Sequence, residues 1–130
     1  MQRLGFPSVN GLALVFTLAA FAPISHACDI IILQYSIDFA RTKLKRAANE
    51  TDLEWAKDYA RKAKRALDDS AMAAMGCGCG KAYSEFDIAA SSARRARDAD
   101  DANEFVDSLN RSIRSFNSAS KALLTCPQNR

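Results

Sequence analysis

Histidine is almost missing from this chain of 130 residues: His26 is the one imidazole. It lies in an N-terminal stretch, residues 1–27, that reads as a removable secretion signal. The remaining part, residues 28–130, has none, which excludes serine and cysteine triads that need a histidine base, the commonest zinc sites and a histidine pH switch. Proline and glycine are nearly as scarce. Beyond the signal there are Pro127 and three glycines, Gly76, Gly78 and Gly80, crowded into five positions. The stretches 29–75 and 81–125 therefore lack both residues that most strongly interrupt regular structure, and alanine, the best helix former, is abundant in each. Charge of one sign is also lacking. Without Arg3 the 18 Lys and Arg fall to 17 against 15 Asp and Glu, a net charge of +2, too close to balance for a nucleic-acid footprint.

The signal consists of Arg3, an apolar run from Gly11 to Ala22, Pro23, and small residues at Ser25 and Ala27 around His26. About a dozen apolar residues are too few for a bilayer span, which takes about 20, so the protein is expected not to be transmembrane once the signal is cleaved before Cys28. Lipidation of Cys28 is the alternative. It is disfavoured because Ser25 stands three residues before the cysteine, where lipoprotein signals typically carry leucine. Export to the periplasm or outside the cell puts Cys28, Cys77, Cys79 and Cys126 in an oxidising space, where four cysteines in a short chain form disulfides. Asn49-Glu50-Thr51 and Asn110-Arg111-Ser112 match the glycosylation acceptor pattern, a short motif that chance readily supplies.

Apolar periodicity predicts four helices in one domain, residues 28–130. Ile30, Leu33, Ile37, Ala40, Leu44 and Ala47 form the stripe of the first. Thr51-Asp52-Leu53-Glu54 has the capping-box pattern with Thr51 as cap, and Ala56, Ala60, Ala63, Leu67, Ala71 and Ala74 follow as a small-residue stripe, with Trp55 and Tyr59 expected to cover its flank. Phe86, Ala89, Ala90, Ala93 and Ala96 mark the third helix. The fourth opens at Asp100 or Asp101 and carries Ala102, Phe105, Leu109, Ile113, Phe116, Ser120 and Leu123. The fold class is thus all-α: a small up-down four-helix bundle of two tandem hairpins, closed by two disulfides. A shift of 50 residues aligns Trp55 with Phe105, Ala56 with Val106 and Arg61 with Arg111, a weak internal repeat. All four sulfurs then lie at one end, paired either 28–77 with 79–126 or 28–79 with 77–126; joining Cys77 to Cys79 is disfavoured by geometry. An alanine-lined core buries little apolar area, and closing a loop of nearly 50 residues stabilises by about 4 kcal/mol in the chain-entropy model. Reduction is therefore expected to unfold the protein.

Two segments invite a chemical reading. Met72, Met75, Cys77 and Cys79 would offer thioether and thiolate ligands suited to Cu(I), or a thiol-exchange pair. Methionines three apart on a helix ordinarily fill gaps in a core, and Cys28 and Cys126 provide structural partners, so the disulfide reading is adopted and no metal or other cofactor is expected. Arg41, Lys45, Lys57, Arg61 and Lys64 form a second candidate, a basic face for an anionic surface, although Asp58 with Lys62 and Lys64 with Asp68 stand at the four-residue spacing of ordinary solvated ion pairs. Asp98, Asp100 and Asp101 are explained by helix capping, and the ordered oxygen ligands of a calcium loop are missing. The functional expectation is a small exported, non-enzymatic protein that binds a protein or envelope component, with soft-metal or thiol-redox handling as the rival.

Overall fold

The computed structural model describes residues 28–126, so the signal reading and Pro127 lie outside the described residues. Four helices run in order: α1 (Ile30–Asn49), α2 (Leu53–Gly76), α3 (Gly80–Arg97) and α4 (Ala102–Leu124). No helix among the described residues is long and apolar enough to cross a membrane. The bundle is up-down, and its disulfides are Cys28–Cys77 and Cys79–Cys126, each tying the start of one hairpin to its end. Of the two pairings the sequence left open, the chain adopts the one within hairpins.

Each helix starts where a side-chain oxygen satisfies an otherwise orphaned amide, except α3. Asp29 accepts from the Ile32 amide, Asp52 from Trp55 and Asp101 from Glu104. The cap of α2 is thus Asp52, one residue after the expected Thr51; two adjacent good cap formers leave the sequence no basis for choosing. At α4, Glu104 Oε1 also accepts from the amide of Asp100, the residue before the cap, at 3.0 Å. Helix α3 begins at Cys79 with no side-chain cap, its sulfur being engaged in a disulfide.

The α2–α3 reversal brings the inner cysteines together. The Cys79 amide donates to the Ala74 carbonyl and the Gly78 amide to that of Met75, both at 2.9 Å, a Schellman ending that needs a left-handed residue after the cap. Gly78 supplies it, with φ of 75°. The turn closes with Cys77 and Cys79 both buried, facing the two ends of the bundle's outer helices.

Small side chains set the packing. Ala60, Ala63 and Ala74 of α2, and Ala89, Ala93 and Ala96 of α3, are fully buried, so each helix lies close to the next in sequence, whereas α1 and α4 approach at few positions. Larger groups line that seam without closing it, Leu44, Ile113 and Phe116 bordering a groove of about 360 Å³. Phe86 and Phe116 meet in the core with ring centroids 6.1 Å apart. Two hydroxyls bind helices together: Ser112 Oγ donates to the Ala89 carbonyl at 2.8 Å, and Ser70 Oγ lies 3.0 Å from Ser36 Oγ.

The expected 50-residue repeat is corrected to 49. A shift of 50 pairs exposed Trp55 with buried Phe105, and buried Ala56 with exposed Val106. A shift of 49 carries Leu33, Ile37, Ala40, Leu44 and Ala47 onto Ala82, Phe86, Ala89, Ala93 and Ala96, all buried, and cap Asp52 onto cap Asp101. Cys28 and Cys77 fall on Cys77 and Cys126 in the same register. Two further corrections concern single residues. Ile30, placed at the head of the α1 stripe, is 49% exposed, three consecutive isoleucines having given the sequence no phase information; Trp55 is 61% exposed and is not among the side chains packed against the core. Tyr59 does pack against the core.

Candidate binding surface

All four sulfurs are in disulfides, so the Met72–Cys79 segment presents thioethers without thiolates in this state. Its methionines are not gap-fillers. Met72 is 68% and Met75 51% exposed, both on the outer side of α2.

Of the proposed basic face, four members meet carboxylates on their own helix. Arg41 pairs with Asp38 at 2.9 Å, Lys57 with Glu54 at 3.8 Å, Lys64 with Asp68 at 2.7 Å, and Arg61 with Asp58. Lys45 has no carboxylate within 4 Å among the described residues. The expected Asp58–Lys62 pair forms too, at 3.2 Å. Hydrogen bonds from Arg61, then from Lys62, hold the Asp58 carboxyl below the usual carboxylate range. Asp98 is held down in the same way by a two-pronged bond from Arg97, whose own guanidinium is pushed up by that bond. Arg41 lies over the Phe116 ring on the α1–α4 seam, 5.4 Å from its centroid, and Lys45 lines the same groove, whereas Lys57, Arg61 and Lys64 stand on α2 beside their partners.

A different surface emerges on the outer face of the first hairpin. Ile31, Ile32 and Tyr35 of α1 and Met72, Ala73 and Gly76 of α2 line a groove of about 590 Å³, with Asp29 and Asp69 at its margins. Tyr35, Ser36 and Asp69 carry it into a second hollow of about 380 Å³, bounded by Phe39, Ala66, Lys62 and Arg65. Tyr35 and Phe39 meet edge to face at 6.3 Å. Beyond Phe39 the surface turns basic: Lys43 lies 5.0 Å from the Phe39 ring centroid, and Lys43, Lys62 and Arg46 stand 5.7, 5.8 and 5.9 Å from that of Tyr59.

Single exposed apolar residues are ordinary, as are Ile88, Val106 and Leu124 here, but a contiguous patch marks an interaction surface. Tyr35 is 71% and Ile31 80% exposed, next to Met72. The sequence held the signal: 32, 35 and 39 form a second apolar stripe on α1, beside the one that faces the core. No known protein family matches the chain, and neither a curated protein nor a solved structure is significantly similar to it. Fold and surface together describe a disulfide-closed four-helix bundle with an open apolar face along α1 and α2.

Proposed function

We propose that this is a small exported, non-enzymatic helical protein that works, in the periplasm or outside the cell, by binding a protein or envelope component. The observation that supports the reading most is the groove along α1 and α2: a thin-cored bundle with large side chains exposed together on one face gains by covering them. Two disulfides accord with an oxidising compartment. Signal cleavage before Cys28 belongs to the same proposal and is checked by N-terminal sequencing of the exported protein.

The test is retention. Immobilised oxidised protein is challenged with soluble exported proteins and with solubilised envelope, alongside a variant carrying Tyr35→Asp and Met72→Asp, both at exposed positions. Specific retention by the parent and its loss in the variant are the expected results; equal retention by both contradicts the reading. The rival, soft-metal or thiol-redox handling through Met72, Met75, Cys77 and Cys79, draws support from the exposed thioethers and requires both disulfides to be open. Copper titration of the reduced protein, followed by thiolate-to-metal absorption, tests it.

A further inference from the structure

Building on the binding reading above, we infer that the α1–α2 groove receives an amphipathic helix of a protein partner, apolar along one stripe and acidic at the end lying over Lys43, Arg46 and Lys62. Three properties of the face converge on that occupant. The first is length: from Ile32 to Arg46 the face spans 15 residues of α1, about 21 Å end to end at 1.5 Å per step, or about four turns of a helix laid alongside. Its anchors recur at helical spacing on α1 (Ile32, Tyr35, Phe39), while Met72 on α2 supplies the adaptable thioether surface that helix-binding grooves use.

The second is charge. Lys43, Arg46 and Arg65 have no carboxylate within 4 Å among the described residues, and Lys43, Arg46 and Lys62 converge on one phenol ring. Like charges gathered in this way repel, and the ring face offsets only part of the cost. Lys62 shares the Asp58 carboxylate with Arg61, Asp69 lines the hollow of Lys62 and Arg65 and Glu50 that of Arg46 and Tyr59, and the cations remain in excess. A partner's carboxylates complete the balance.

The third is shape. The groove is open along its length, so an acyl chain in it would keep much of its surface in water, unlike ligands in sites that bury 70–90% of them. A helix brings side chains to fill both hollows. An anionic bilayer would meet the Asp29 and Asp69 carboxylates that border the apolar half, which like-charge repulsion disfavours.

The test uses two labelled, helix-stabilised synthetic peptides of about 18 residues with the same leucine stripe, one with glutamates and one with lysines in its last two turns. Binding to the oxidised protein is followed by fluorescence anisotropy. The glutamate peptide is expected to bind about tenfold more tightly than the lysine peptide, with the preference abolished in Lys43→Glu, Arg46→Glu protein and weakened by salt. Tyr35→Asp with Met72→Asp is expected to abolish binding of both. Far-UV circular dichroism and unchanged disulfides establish that each variant is folded. Equal binding of the two peptides, or an undiminished preference in the charge-reversed protein, overturns the inference. Binding to phosphatidylglycerol vesicles with neither peptide bound overturns it also, while leaving the envelope-binding reading standing; if neither peptides nor vesicles bind, the inference falls and the retention experiment alone decides that reading.

Discussion

Ser112 is fully buried, and its hydroxyl joins α4 to the Ala89 carbonyl of α3. Replacing it with alanine deletes that bond without adding bulk, and a loss of about 1 kcal/mol in urea unfolding is expected. Phe86 carries more, because it is fully buried against Phe116 on a helix whose other buried residues are small. Phe86→Ala is expected to cost about 3–5 kcal/mol, since rigid alanine-packed helices cannot collapse into the cavity. Asp58 supplies a pH signature. Its folded-state carboxyl titrates below the ordinary value of 3.8, through hydrogen bonds from Arg61 and Lys62. A lowered folded-state pKa contributes stability at pH values above the ordinary one, and that contribution is lost as the pH falls through the lowered value. Asp58→Asn is therefore expected to lower Tm at pH 7, by an amount that shrinks as the pH is taken below 3.8, as scanning calorimetry over a series of acid pH values would show. The two α2 ion pairs at four-residue spacing, Asp58–Lys62 and Lys64–Asp68, were legible, as was burial of the alanines on the first three stripes. The exposure of Ile30 and Trp55 was not: three isoleucines in a row fit any helical phase, and a one-residue error in the cap rotates the expected face by about 100°.

At the scale of the helix, the alanine stripes set how closely neighbours approach. Ala93 lies on the α3 stripe and is fully buried, so Ala93→Leu forces the helices apart; about 1–3 kcal/mol of destabilisation is expected from overpacking, read as a lower urea midpoint. The helix boundaries and stripes follow from periodicity, because long runs free of glycine and proline leave little alternative. Two features of the elements needed coordinates. The 49-residue register becomes visible only when burial is compared position by position, since substitutions such as Ala60 to Leu109 conceal it in sequence. The binding face was overlooked for a different reason: residues 31, 32, 35 and 39 adjoin the core stripe of α1, and both belong to one apolar helix end until the packing of α2 separates them.

For the whole molecule, the decisive constraint is the pair of loops that the disulfides close, with sequence separations of 49 and 47. Each closure contributes about 4 kcal/mol in the chain-entropy model, against the 5–15 kcal/mol of net stability typical of a folded domain. The near-equal loops imply near-equal effects when either bond is removed by paired Cys→Ser replacement. Pairing within hairpins was one of two arrangements the spacing allowed, because Cys77 and Cys79 are two residues apart and both outer cysteines reach the same end of the bundle; the Schellman turn at Gly78 is what directs them. The central claim is that these sulfurs are structural and that the protein acts by binding in an oxidising compartment. It is tested most directly by counting free thiols in the protein purified from its native compartment under non-reducing conditions. None is expected; two free thiols, at Cys77 and Cys79, would contradict a structural role and return the metal and redox reading to first place.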